Sequence, residues 1–244
     1  MTEQSYVESH KDPSKGKQYD AWYATDPWNR YLWGREQEVL GQLLREQFGA
    51  RPIDLLDFAC GTGRITAALE PHVRSAVGVD VSASMLGQAR QKLTRTELIE
   101  GNLLEAPLLG DRRFTLITAF RFFVNAEPPL RYGAIKALAP YLADDGCLVF
   151  NNHQNLGSAY IQLTKAYAKV KGFKFANTLS IAECEALVRS VGLEITHIYP
   201  VAMFHLPRVH LPPALYRAAD AVGAWSQAIA RHAECPIIVA RRRR

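Results

Sequence analysis

Residues 53–66 read Ile53-Asp54-Leu55-Leu56-Asp57-Phe58-Ala59-Cys60-Gly61-Thr62-Gly63-Arg64-Ile65-Thr66. The run 53–59 is compact and apolar and stops at Cys60-Gly61-Thr62-Gly63; Ile65, Ala68 and Leu69 then recur at helical spacing over 64–71. The stretch is therefore a strand, a glycine-rich turn and a helix. Glycine lets the backbone bend tightly and lets a ligand approach without meeting a Cβ. A bare strand-to-helix connection uses the same residues, so the neighbouring segments decide what this turn is for.

Outward from the turn the pattern alternates. A β-branched run at 75–81 leads to Ser82, a helix N-cap, and to Met85, Leu86, Ala89 and Leu93 at three- and four-residue spacing. A short strand is expected at 97–100, a strong one at 114–120, a helix at 129–142 closed by Asp144-Asp145-Gly146, and a fifth strand at 147–151. Ser180 and Glu183 form a capping-box pair opening a helix over 180–191, which Gly192 stops. A sixth strand at about 194–201 and a last one at 235–240 bracket an insertion, 204–232, with a helix at 213–230. Strands alternating with helices predict an α/β fold: a doubly wound, mostly parallel sheet with helices on both faces, binding ligands beyond the carboxyl ends of its strands. We read 1–244 as a single domain, with an N-terminal helical cap (1–50), a core (51–203), a lid-like helical insertion (204–233), and a last strand with a basic tail (234–244).

Composition narrows the class. With 244 residues, 48% hydrophobic and 22% charged, the chain can bury one sizeable core without disulfides or a structural metal. The first thirty residues are polar, and the longest apolar runs, such as 147–150 and 236–240, are far too short for a membrane span, which predicts neither a signal peptide nor a transmembrane helix. Cys60, Cys147, Cys184 and Cys235 lie tens of residues apart, unlike a metal site or disulfide framework, so a reducing cytoplasm is expected and no metal. Of the net charge of +5, the arginines at 241–244 supply four, leaving a nearly neutral fold. That tail reads as a solvated end, and nucleic acid is disfavoured as a partner because it calls for a basic stripe across the fold.

Asp80 ends the second strand seventeen residues after Gly63, where a carboxylate can accept hydrogen bonds from both hydroxyls of an adenosine ribose. A dinucleotide and S-adenosylmethionine both satisfy a glycine turn followed by such a carboxylate. The dinucleotide fingerprint needs glycine where this chain has Thr66. Asp57, just before the turn, would repel a pyrophosphate but suits a cationic amino group.

On the motif Asp57-Phe58-Ala59-Cys60-Gly61-Thr62-Gly63, with Asp80, the chain resembles the class I S-adenosylmethionine-dependent methyltransferases over roughly 52–155. The resemblance implies a Rossmann-like seven-stranded sheet of order 3-2-1-4-5-7-6 with an antiparallel last strand. It implies that Asp57, Ala59, Cys60, Gly61, Thr62 and Gly63 hold the methionine portion of the donor and Asp80 its ribose. Val81 and Met85 would flank the adenine, with Phe120 at the end of the fourth strand. Asn102-Leu103 stands where relatives carry an acidic and an apolar residue, and asparagine still offers an amide oxygen to the adenine amino group. Ala59 stands where many relatives have glycine, which a slightly wider turn would accommodate. Tyr19 and Tyr23, in a segment rich in rings, would close over the donor.

Methyl transfer from a sulfonium asks the protein to align the acceptor and exclude water; a hydroxyl acceptor also needs a base. The segments after the fourth and fifth strands, Arg121-Phe122-Phe123-Val124-Asn125 and Asn152-His153-Gln154-Asn155, open at the ligand edge. His153 is the candidate base, Arg121 the anchor for an anionic acceptor, and Asn125 and Asn152 the orienting amides. The fourth strand lacks the Asn/Asp-Pro-Pro-Tyr/Phe sequence of base-amino methylation. Lys165, Lys169, Lys171 and Lys174 in the 152–178 stretch read as a solvated helix face. The expected activity is methyl transfer to a small molecule, with a hydroxyl as the receiving group. A nicotinamide-dependent oxidoreductase, a non-catalytic donor-binding module, and amine or carbohydrate acceptors are the alternatives.

Overall fold

The computed structural model describes residues 25–173, 177–204 and 212–243. Tyr19, Tyr23 and Lys174 lie outside them. The strands are β1 (Asp54–Phe58), β2 (Ser75–Asp80), β3 (Glu97–Glu100), β4 (Phe114–Ala119), β5 (Leu142–Asn151), β6 (Leu193–Tyr199) and β7 (Ile237–Arg242). They form one sheet in the order β3-β2-β1-β4-β5-β7-β6. Pairs on the β1 side are parallel, and β7 runs antiparallel to both β5 and β6. The helices are α1 (Pro27–Phe48), α2 (Arg64–Leu69), α3 (Ala83–Ala89), α4 (Pro128–Leu138), α5 (Ala159–Lys171), α6 (Ile181–Arg189), α7 (Pro213–Ala224) and α8 (Gln227–Ala230).

Alternation along each strand sends successive side chains to opposite faces. Leu55, Leu116, Cys147, Val149 and Val239 point to one layer, filled by Leu32, Val39, Leu40, Leu43 and Phe48 of α1. Leu56, Ile117, Leu148, Phe150 and Ile238 point to the other, filled by Ile135 and Leu138 of α4 and Cys184, Leu187 and Val188 of α6. Helix α1 starts where the Asp26 carboxylate accepts the Asn29 N–H at 2.7 Å and Pro27 fits the first turn; it stops at Gly49, whose φ is 58°. It lies along the face of the sheet.

Three boundaries differ from the sequence reading. Helix α4 ends at Leu138 and β5 begins at Leu142, because a register shift between Phe114 and Leu116 lets Leu142 pair with β4 ahead of Asp144-Asp145-Gly146. The expected helix over 213–230 is two helices, since Ser226 adopts extended angles and its hydroxyl caps the Ala228 N–H at 3.2 Å. The first two arginines of the basic tail are not a solvated end. Arg241 and Arg242 belong to β7, with Arg241 donating to the Asp145 and Gly146 carbonyls and Arg242 to those of Ala139 and Leu142.

Candidate functional site

A cavity of about 350 Å³ opens beyond the carboxyl ends of β1, β2, β4 and β5. Its walls are Ala59–Thr62 from the turn, Asp80 and Val81 after β2, Met85 of α3, Asn102 and Leu103 after β3, Phe120, Arg121 and Asn125 after β4, and His153 and Gln154 after β5. The size is that of an ordinary small-molecule site.

The turn is fixed from below. Ala59, Gly61 and Gly63 all take positive φ (54°, 55° and 74°), so the backbone reverses through three left-handed residues within five positions. The alanine accepts a conformation that suits glycine. The Cys60 N–H donates to the Val79 carbonyl at 3.1 Å, Gly63 N–H to Cys60 at 2.9 Å, and the Lys92 ammonium to the Thr62 carbonyl at 3.1 Å. Gly78 of β2 makes room for Cys60, since a Cβ there would stand 3.0 Å from its sulfur. Burial pushes the Cys60 thiol well above its ordinary value, which leaves it as wall rather than nucleophile.

Two carboxylates anchor this end. One Asp80 oxygen accepts the Gly61 N–H at 2.8 Å and the other accepts the Ser82 N–H at 2.9 Å, which orients the group toward the turn. Asp57 is buried beneath the turn, accepting from the Thr66 hydroxyl at 2.5 Å and the Thr118 hydroxyl at 2.7 Å. Burial raises its carboxyl to about 6, reinforced by the charge of Asp80 and opposed by the two hydroxyls. Asn102 uses its amide oxygen to accept the Leu104 N–H at 3.0 Å and its amide nitrogen to donate to Glu105 at 2.9 Å.

The opposite wall is a buried polar cluster. Glu36, from the middle of α1 and 1% exposed, accepts from Arg64 at 2.7 Å, from the Asn151 amide at 3.3 Å, and lies 4.0 Å from Arg121. The Asn151 amide oxygen accepts the Arg121 N–H at 2.7 Å, holding Arg121 at a positive φ of 58°. The Arg64 guanidinium also lies over the Trp33 ring, 4.2 Å from its centroid. His153 lines the cavity beside them. Burial, and then the guanidiniums of Arg121 and Arg64, push its imidazole well below its ordinary value, so the ring is neutral. Its Nδ1 and the Gln154 Oε1 are buried with no hydrogen-bond partner.

The structure thus brings together on one cavity Asp57, Ala59, Cys60, Gly61, Thr62, Asp80, Val81, Met85, Asn102, Leu103, Phe120, Arg121, Asn125 and His153. Gly63 lies behind the wall, capping α2. Asn152, expected to orient an acceptor, is not on the wall: its amide donates to the Leu179 carbonyl at 2.8 Å and ties the β5 exit to the strand-like segment before α6. Asn125 donates to the Arg121 carbonyl at 2.7 Å and so shapes the loop while facing the cavity. Sequence reasoning missed Glu36, Arg64, Asn151 and Gln154. Glu36 carried a readable signal, a carboxylate on the α1 stripe that Leu32, Val39, Leu40 and Leu43 mark as buried.

The profile of a family described as a methyltransferase domain matches residues 55–146, the segment from β1 into β5. Residues 55–146 thus form a methyltransferase domain, within a fold of the class I S-adenosylmethionine-dependent type. A 23S rRNA (uracil(1939)-C(5))-methyltransferase, RlmD, of Stenotrophomonas maltophilia (strain R551-3) is 31% identical over 123 residues, 46% of this chain and 28% of that protein. The chain spans between 20% and 59% of the length of the curated relatives it matches. Among solved structures, an S-adenosylmethionine-dependent methyltransferase of Thermotoga maritima, described as a possible histamine N-methyltransferase, superposes with a TM-score of 0.67 at 17% identity, covering 96% of this chain and 99% of that one. Magnesium protoporphyrin IX methyltransferase of Synechocystis PCC 6803, with bound S-adenosylhomocysteine, gives 0.65 at 13% identity, covering 96% and 98%.

The donor of this methyltransferase class is S-adenosylmethionine, and the cavity's chemistry fits it. A Cβ on Gly61 would project into open space, so the turn leaves a cradle on the cavity side. The oriented Asp80 carboxylate suits a diol, buried Asp57 suits an ammonium, and Met85, Val81 and Leu103 give an apolar slot for a flat ring. Among the described residues no cluster of His, Cys, Asp or Glu is placed to hold a metal ion, and no helix is long and apolar enough to cross a membrane.

Proposed function

We propose that this chain transfers a methyl group from S-adenosylmethionine to a small-molecule acceptor, with a hydroxyl as the receiving group. The observation that carries the reading is the continuity of one cavity from the Asp80 and Ala59–Thr62 wall to Arg121 and His153, which gives a donor and an acceptor adjoining places. When bound, the donor would supply an electrophilic methyl on a sulfonium, and the acceptor oxygen would take that methyl in line as the carbon–sulfur bond breaks and S-adenosylhomocysteine leaves. Asp80 holds the ribose hydroxyls, Asp57 and the turn hold the methionine end, and Met85, Val81 and Leu103 shut the adenine away from water. The neutral His153 imidazole, on the cavity wall, takes the hydroxyl proton. Two guanidiniums nearby make the imidazolium short-lived, so the proton passes on to solvent. Arg121 draws the acceptor oxygen's developing charge toward the donor.

Transfer to RNA is the second reading, raised by the RlmD relatives, which are 23S rRNA methyltransferases. What favours the small molecule is a cavity walled by Phe120, Phe122 and Leu130 beside the polar cluster. The test is turnover with radiolabelled donor against a panel of hydroxyl-bearing metabolites and, separately, unmodified ribosomal RNA. Label in a small molecule, dependent on His153, supports the reading; label in RNA alone overturns it.

A further inference from the structure

Two helices outside the core sheet carry apolar side chains that face water. On α5, Leu163, Tyr167 and Val170 fall on one side at helical spacing, followed by Phe173 just past the helix; all four are between 60% and 84% exposed. The opposite side of α5 is the one that packs, through Ile161 and Ala168. On α7 and the turn after it, Leu215 and Val222 lie two turns apart and are about half exposed, and Trp225 is 83% exposed. The loop that leads into α5 meets the segment that leaves α8: His232 Nδ1 stands 3.0 Å from the Gly157 carbonyl, and the Asn155 amide donates to the Arg231 carbonyl at 2.7 Å. Both arise at the carboxyl-end edge of the sheet, where the cavity opens.

Charge identifies the occupant. From Gly146 to Ala182 the sequence contains no aspartate or glutamate, and α5 carries Lys165, Lys169 and Lys171. Lys169 and Lys171 are exposed and flank the apolar stripe on its two sides, a place from which long side chains reach up to a charged surface. The one acid of α7 and α8, Asp220, is buried in an ion pair with Arg35 at 3.0 Å. A second copy of this chain would set this basic face against itself, at a repulsive cost. We infer that the exposed faces of α5 and of α7 with Trp225 dock on an anionic lipid bilayer surface, the apolar side chains entering the headgroup boundary and the lysines pairing with phosphates. Trp225 has the amphipathic ring that settles at such a boundary. The docking is independent of the acceptor's identity; it rests on the methyl-transfer reading only in that it turns the cavity mouth toward the lipid.

The full chain is sedimented with vesicles of phosphatidylcholine alone and with roughly one phosphatidylglycerol in three. Variants are Val170→Glu, Trp225→Glu and the pair together, at positions that touch neither the core nor the cavity. Binding to the anionic vesicles only, released by about 0.5 M salt and roughly tenfold weaker in the double variant, supports the inference. The melting temperature and the affinity for S-adenosylhomocysteine should be unchanged in every variant, so that a failed donor site shows separately. The inference is overturned if the chain ignores anionic vesicles or if the double variant binds them as well as the parent. It is equally overturned by a solution dimer that the double variant dissolves, or by polyglutamate competing for the chain as effectively as the vesicles do.

Discussion

Asp80→Asn is the sharpest test of the donor site, because it keeps the shape and removes the charge. Both carboxylate oxygens receive a backbone N–H, from Gly61 at 2.8 Å and Ser82 at 2.9 Å. An amide can face only one of these donors with its oxygen, so one buried N–H meets an NH2 group. An unmet buried donor costs about 1–3 kcal/mol, which for a chain of this size lowers the melting temperature by roughly 2–10 °C. The ribose also loses a charged acceptor, worth about 1.5–3 kcal/mol, or roughly 10- to 150-fold in affinity. Calorimetric titration with S-adenosylhomocysteine at 25 °C measures the second effect, and thermal unfolding followed by circular dichroism the first. An affinity within about twofold of the parent, in a variant that melts measurably lower, would mean that Asp80 braces the turn without touching a ligand, and the ribose assignment would fall.

Three further outcomes follow from the same geometry. Asp57 is raised from 3.8 to about 6, so its ionised form weighs against the folded state above pH 6 by about 3 kcal/mol, a penalty relieved as pH falls from 6 toward 3.8. Carboxyl carbon NMR should show a midpoint near 6 that drops when S-adenosylhomocysteine brings its ammonium; a midpoint near the ordinary value without ligand contradicts the burial argument. His153 is held well below 6.5, so if it is the base, turnover should persist as pH falls through 6.5 and decline only further down; an acid limb at 6.5 or above removes it from that role. Glu36→Gln takes the negative charge from between Arg64 and Arg121 and should cost about 3 kcal/mol in urea unfolding, whereas a cost under about 0.5 kcal/mol would show the cluster to be solvated.

The donor side of the site was legible because its information is local. A strand, a turn and a carboxylate at the next strand end are set by spacing, and parallel pairing of β1 with β2 brings Asp57 level with Gly78 and carries Asp80 to the turn. The acceptor side was legible only in part. Arg121 and His153 stood out as polar residues leaving strands, but their partner Glu36 comes from a helix 85 residues earlier than Arg121, and no local pattern announces that meeting. Asn152 looked equivalent to His153, yet neighbours on a strand exit point to opposite sides, and one of them turned to Leu179. The start of β5 was hidden because Asp144-Asp145-Gly146 has turn chemistry, which a register shift against β4 overrode. The arginines at 241 and 242 read as a tail because composition cannot see that carbonyls at the ends of α4 and around Asp145 wait for donors.

The place of β7 has a consequence for synthesis. It is the last of the described strands to leave the ribosome, yet it fills a slot between β5 and β6, which have no other bond to each other. Until residues 237–242 clear the exit tunnel, the nascent chain presents two unzipped β-borders, those of β5 and β6, the kind of surface that recruits chaperones or pairs with a neighbour on the same polysome.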